Sequence, residues 1–370
     1  MTQGHGDDAY RYSDIRLNFS SNIFASADLS ELKQHLCRSI HLVDNYPEPE
    51  ARSLEAAIAR RHGVDAECVL VTNGATDAIY LVAEWFASRR EGGYVLPMPT
   101  TFSEYADASR LYGLAPAAAS AEGQAPAANR AAEELAPAAN RAAEGRALCW
   151  LCNPNNPTGT VSTPQELLHR ARRYAYLVVD QSYEDYTLAP MLSHADAAAS
   201  ENIIQLHSLT KTYAVPGLRI GYIVAPPAVV AQLRSRLRPW AVNALAVEAG
   251  RWLMEHDTRA VADLPAYLAE TARLRARLAA LPGVAVGATA TSFMLAHISH
   301  ATAAELKDYL AVAHHILIRD ASNFSGLTAH HFRVSTQTPA ANDALVTAIT
   351  DFIAQKTSVT TSATTSTPAI

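Results

Sequence analysis

Between residues 69 and 224, short apolar runs alternate with stretches whose apolar residues recur at helical spacing, and this alternation restricts the fold most. Residues 69–72, 94–96, 147–152, 176–179, 203–206 and 220–224 are predicted strands. Residues 75–87, 102–111 and 164–174 are predicted helices between them. Strands apolar on both faces must be covered on both sides, because neither face can meet water. The expected class is α/β, with a doubly wound, mostly parallel sheet in a large domain. Its ligands should sit at the carboxyl ends of the strands.

After Pro226-Pro227 the pattern changes. Helical stretches at 229–237, 246–255 and 264–281 are followed by a strand at 292–298 and a helix at 303–314. A strand at 332–335 and a helix ending near 355 complete the series. This reads as a smaller α+β domain. The expected division is an N-terminal arm at 1–45 belonging to the small domain, a large domain at 46–235, and a small C-terminal domain at 236–356. The Thr/Ser-rich tail at 357–370 is expected to be disordered. Residues 115–146 are Ala-rich and hold a near-repeat, 125–133 recurring as 136–144, so they are expected to be a low-complexity surface insertion.

A net charge of −6 disfavours a nucleic-acid surface, and no apolar stretch is long enough for a membrane span. Residues 1–16 are polar, with no signal-peptide pattern, and the four scattered cysteines suit a reducing cytoplasm. Cys149 and Cys152 spell C-x-x-C inside an apolar run, without a second pair at zinc spacing, so they are expected to be inert. His314-His315 and His330-His331 lack the i, i+4 spacing of a helical metal site, and no metal is expected.

The chemistry gathers in a few strings. Lys211 stands between Ser208, Thr210 and, eight residues on, Arg219, on what reads as a turn between two strands. Such a lysine can form a Schiff base with an aldehyde, while the hydroxyls and the arginine hold a phosphate. Asn73-Gly74-Ala75-Thr76-Asp77 ends a strand and opens a helix, whose free N–H groups make an anion site. Asn153-Pro154-Asn155-Asn156-Pro157-Thr158-Gly159 closes another strand in a rigid turn, and Asp180 ends the next one. No G-x-G-x-x-G follows a strand, which argues against a dinucleotide enzyme.

Together these strings resemble the class I/II aminotransferase family of pyridoxal-phosphate (PLP) enzymes, fold type I, over nearly the whole chain outside the insertion and the tail. The resemblance implies PLP held by Lys211, with Gly74, Ala75, Thr76, Ser208, Thr210 and Arg219 at its phosphate. It implies Phe102 stacked on the ring, Asp180 at the ring nitrogen, and Asn156 and Tyr183 at the 3′ oxygen. Tyr46 is similar to a tyrosine that reaches the neighbouring subunit's cofactor, which implies a homodimer with shared sites. Arg333 matches an arginine that grips a substrate carboxylate. Asn22 lies on an arm expected to fold over the site, and Arg319 is a candidate for a substrate phosphate or carboxylate. Within the family, the arm at 18–23 and the string 319–324 look like those of the threonine-phosphate decarboxylase of cobalamin synthesis. The expected reaction is decarboxylation of L-threonine O-3-phosphate. The alternatives are an aminotransferase similar to histidinol-phosphate aminotransferase, or a non-catalytic PLP-fold regulator.

Overall fold

A computed structural model describes residues 7–117 and 145–364. In chain order the strands are β1 (Leu17–Asn18), β2 (Val69–Thr72), β3 (Tyr94–Val95), β4 (Leu148–Cys152), β5 (Tyr176–Asp180) and β6 (Ile203–Ser208). They continue with β7 (Gly221–Val224), β8 (Val284–Val286), β9 (Phe293–Ile298), β10 (Ile316–Leu317), β11 (Arg319–Asp320) and β12 (His331–Ser335). The chain forms two compact units, one of Ala27–Asn155 and Val161–Ala262, the other of Met1–Ser26, Asn156–Thr160 and Asp263–Ile370.

In the larger unit six strands form one sheet in the order β2-β7-β6-β5-β4-β3. The pairs β3–β4, β4–β5 and β5–β6 are parallel, whereas β7 is antiparallel to both its neighbours. Side chains alternate across the sheet, as strand geometry requires. Val71, Leu151 and Val179 enter one core with Leu54, Leu167 and Trp252, and Leu70, Trp150 and Val178 enter the other with Ile79, Phe86 and Tyr105. Cys149 and Cys152 fall in opposite cores, so they are buried thiols on opposite faces. Glu55, 1% exposed, anchors β2 by accepting from Val71 N at 3.1 Å and from both terminal nitrogens of Arg234 at 3.0 Å.

The smaller unit is a four-stranded antiparallel sheet, β11-β12-β9-β8, and β1 pairs in parallel with β10. Leu274 and Leu278 of the helix Leu264–Ala279, Leu306 and Leu310 of Ala303–His314, and Leu345 and Ile349 of Pro339–Thr364 share its core with Phe332 and Val334.

The units differ from the division read along the sequence. Residues 27–45 and 236–262 belong to the larger unit. The helices Ser30–Arg38 and Ala244–His256 bury Leu32, Ala246 and Leu253 in the core that holds Leu54 and Ile58. Their apolar faces find a partner helix far away in sequence, which a boundary drawn at a composition change cannot register. The last helix continues to Thr364, through residues 357–364 of the tail expected to be disordered. Ala115 and Ala117 bracket Tyr94 in a strand-like bridge, with Tyr94 N donating to Ala115 O at 2.9 Å and Ala117 N donating to Tyr94 O at 2.8 Å. Most of the expected insertion, residues 118–144, lies outside the described residues, as do 365–370 of the tail.

Candidate active site

The direction of β7 assembles the anion cup of the larger unit. Because it runs against β2 and β6, its first residue meets their last ones, Gly221 lying opposite both Thr72 and Ser208. Three segments distant in sequence thus reach one end of the sheet. Gly74 has φ +83° and precedes the helix Ala75–Arg89, which has no side-chain N-cap, so its first-turn amides lack an intrahelical or capping partner. A Cβ on Gly74 would lie 2.8 Å from Arg219 Nη2, so the glycine serves both the dihedral and the close approach of the guanidinium. A Cβ on Gly221 would lie 2.5 Å from Ala75 N, so that glycine lets the helix start press onto the sheet. Ser208 Oγ and Thr210 Oγ1, both buried, are 2.7 Å apart. Helix amides, two hydroxyls and an arginine form a donor set that fits a phosphate ester.

Lys211 lies on a short helix, Leu209–Thr212, instead of an open turn. Tyr186 fixes that helix by donating its hydroxyl to Lys211 O at 2.7 Å. Lys211 Nζ lies 5.9 Å from the centre of the Tyr183 ring. Asp180, 4% exposed, projects from the end of β5 on the side of the sheet that holds Val178 and Tyr105. Its Oδ2 accepts from Tyr105 Oη at 2.7 Å, and its Oδ1 accepts from Ser182 N at 2.9 Å and Ser182 Oγ at 2.6 Å. Burial, with the nearby carboxylate, pushes the Tyr105 hydroxyl well above its ordinary range, so it stays a donor. The Tyr105 ring stacks on Trp150 at 5.5 Å, and half-buried Phe102 meets it edge-on at 5.7 Å. Asn155 holds the loop before Phe102, accepting from Thr101 Oγ1 at 2.7 Å and donating to Thr100 O at 3.0 Å. Tyr46 is 84% exposed, with its ring 5.3 Å from that of Trp240.

The smaller unit gathers a second donor set. Arg319 of β11 and Arg333 of β12 are direct partners across the antiparallel ladder, and both are buried. Arg333 donates to Asn156 Oδ1 and to Ser20 O, and Arg319 Nη2 donates to Asn323 Oδ1 at 2.8 Å. Burial pulls the Arg319 pKa below its ordinary value. The arm is pinned to the end of β12, with Ser335 N donating to Phe19 O at 2.9 Å and Gln337 Nε2 to Ile23 O at 2.9 Å. On it Asn22, 1% exposed and at φ +52°, has both amide atoms buried without a protein partner.

The contacts that fix these side chains are not all written in the local sequence. The partners of Tyr105 and Tyr186 are set by tertiary packing, which the sequence does not display, whereas Ser182 bonds Asp180 only two positions away. Asn156 was expected at a cofactor oxygen, and its carbonyl oxygen here accepts from Arg333.

The comparisons bear on the same arrangement. A family model described as aminotransferase class I and II matches residues 14–349. Threonine-phosphate decarboxylase of Salmonella typhimurium is 30% identical over 91% of this chain and 91% of its own length. Histidinol-phosphate aminotransferase of Desulfitobacterium hafniense is 27% identical over 86% of this chain and 87% of its own length. Among solved structures, L-threonine-O-3-phosphate decarboxylase of Porphyromonas gingivalis is 34% identical, covers 91% of this chain and 99% of its own, and superposes with a TM-score of 0.79. With a family match from residue 14 to residue 349 and a lysine, an aspartate and an anion cup at one end of the sheet, the chain belongs to the class I and II aminotransferase family.

Proposed function

We propose that the protein is a PLP-dependent lyase that removes the α-carboxylate of L-threonine O-3-phosphate. The observation that carries this reading is the likeness, at 34% identity and over 91% of the chain, to a decarboxylase of that substrate. PLP, when bound, supplies an electron-withdrawing ring conjugated to the substrate's Cα. The residues of the larger unit fit it. Gly74, Ala75, Thr76, Ser208, Thr210 and Arg219 would hold its phosphate, Phe102 would cover its ring, and Tyr183 would meet its 3′ oxygen. Lys211 would be the amine that anchors the cofactor's aldehyde and would hold or move a proton at the substrate's Cα. Asp180, fixed by Tyr105 and Ser182, offers a carboxylate whose ionised form favours a protonated ring nitrogen.

Decarboxylation and transamination share these parts and differ in which bond at Cα the protein aligns with the ring. A substrate carrying a carboxylate and a phosphate needs cations for both, and Arg319 and Arg333, held side by side, supply them in the smaller unit. Asn22, with an unengaged amide, and Asn156 are assigned to the substrate and the 3′ oxygen respectively. We further assign the working form as a homodimer in which Tyr46 serves the partner's site. The cytoplasm is its assigned compartment. Among the described residues no helix is long and apolar enough to cross a membrane.

Incubation of purified protein with L-threonine O-3-phosphate and no second substrate tests the reading. Carbon dioxide and aminopropanol phosphate are the expected products, with the cofactor unchanged. If the phosphate ester yields no carbon dioxide while glutamate bleaches the cofactor band and 2-oxoglutarate restores it, the protein is an aminotransferase. Lys211→Ala separates both from a non-catalytic binding role, in which its loss would leave ligand affinity intact.

A further inference from the structure

The strand parity that sends Asp180 to one face of the sheet sends another group of titratable side chains to the opposite face. On β6, Leu206 belongs to the core that Asp180 faces, so Gln205 and His207 point the other way. There His207 meets Glu184 from the turn after β5 and His194 from the first position of the helix His194–Ala199. His207 Nδ1 and Glu184 Oε1 are 2.8 Å apart, and the rings of His194 and His207 stack with centres 4.4 Å apart. One nitrogen from each ring and one carboxylate oxygen all lie within 4.8 Å of one another. His62, at the end of the helix Arg52–His62, stacks on the outer side of His194 at 3.8 Å. The group borders a cavity of about 310 Å³ that reaches Ser208, Leu209 and Thr212 beside the lysine segment but is not lined by Lys211, Asp180 or Gly74.

We propose that Glu184, His194 and His207 form a binding site for a divalent transition-metal ion of the zinc class, on the face of the sheet opposite Asp180. Two imidazoles and one carboxylate, with solvent in the fourth position, are a donor set zinc takes readily. Donors around a four-coordinate zinc, with bonds of about 2.0–2.2 Å, are separated by roughly 3.3 Å, so an ion must draw these three donors together from within 4.8 Å of one another. The ligands come from three separate elements, so an ion there ties the turn after β5 to β6. The second coordination layer is also in place. Gln181 Nε2 donates to the other carboxylate oxygen of Glu184 at 2.8 Å, Gln205 Oε1 lies 3.4 Å from His207 Nε2, and Tyr222 Oη lies 3.0 Å from His194 Nε2. No ligand pair has short sequence spacing, which is why a search for paired cysteines and histidines passes over the site.

The full-length protein carrying its cofactor is treated with EDTA, dialysed, and titrated with Zn²⁺ alone, with metal content and melting temperature as readouts. The expected result is one tightly held Zn²⁺ per chain and a melting temperature that rises with its concentration. Glu184→Gln and His194→Gln should each weaken binding by more than about tenfold, the loss of even an outer-layer partner having that effect. His331→Gln, far along the sequence in the smaller unit, should bind as the unaltered protein does. If the unaltered protein retains no zinc after desalting, the site does not exist. If zinc survives both ligand substitutions, or is lost only in His331→Gln, it binds elsewhere and the assignment fails. Should either ligand variant not fold, the unaltered protein's stoichiometry and the His331→Gln control still decide.

Discussion

Tyr105 Oη donates to Asp180 Oδ2 at 2.7 Å, joining residues 75 positions apart across the helix Glu104–Leu111 and the end of β5. The bond leaves the carboxylate with a fixed direction and a neutral donor that does not compete for its charge. Tyr105→Phe keeps the packing against Trp150 and removes only this donor. It should cost about 1–3 kcal/mol of stability, the usual penalty for a buried group left unpaired. Turnover should fall while cofactor content is retained. Thermal unfolding and cofactor-to-protein ratio check the two effects separately, and an unchanged turnover would mean that Ser182 alone orients Asp180.

Gly74→Ala adds a methyl group 2.8 Å from Arg219 Nη2 at a backbone φ of +83°. A non-glycine residue there is strained by about 1–3 kcal/mol, and Arg219 must also move. Cofactor affinity should drop more than global stability does, because the strain falls on the rim of the anion cup. Equilibrium dialysis against cofactor beside a melting curve measures both. Equal losses would show that the position is a turn without a binding role.

Arg319 and Arg333 are neighbours across the ladder but have different partners, so their substitutions should separate. Arg333 is tied to Asn156 and to the arm at Ser20, whereas Arg319 reaches Asn323. Removing a charged partner from a buried pair costs about 2–5 kcal/mol of binding. Arg319→Gln should therefore raise KM for the phosphate ester and leave the unphosphorylated amino acid, a poor substrate, little affected. Arg333→Gln should weaken both. Steady-state kinetics with the two substrates tests the assignment, and the reverse pattern would exchange the roles of the two arginines.

Tyr46 is largely exposed in the single chain, the position expected of a residue that works on a partner subunit. Tyr46→Phe and Lys211→Ala proteins, each impaired alone, should regain activity when mixed and allowed to exchange subunits. A hybrid dimer then has one site with both residues intact. Mixtures that stay at the average of the parents would place Tyr46 outside the active site.

How much of this was legible depended on the range of each signal. Strands such as residues 69–72 and 203–206 were readable because an apolar run bounded by turn residues is a local pattern. The helix 303–314 was readable from its apolar spacing, and in the structure Thr302 and Glu305 form a capping box at its start. The Lys211, Asp180 and Gly74 strings were readable because each is a contiguous motif. The Tyr105–Asp180 bond, the pairing of Arg319 with Arg333 and the cluster of Glu184, His194 and His207 were not. Each joins residues through sheet register or helix packing, and no property of the residues themselves announces the meeting.

The antiparallel strand β7 bears on the order in which the molecule can be made. β2 ends at Thr72 and its hydrogen-bonding partner begins at Gly221, so almost 150 residues must be synthesised before that sheet edge is closed. Until then a nascent chain holds the glycine turn at Gly74 without the strand that sets Arg219 against it, and the lysine segment without the strand behind it. The partly made chain thus cannot capture the phosphate, and it exposes the apolar edge of β2 during translation. Cofactor loading is therefore confined to chains whose sheet is already complete. A ribosome-stalled fragment ending before Gly221 should accordingly emerge colourless and prone to association.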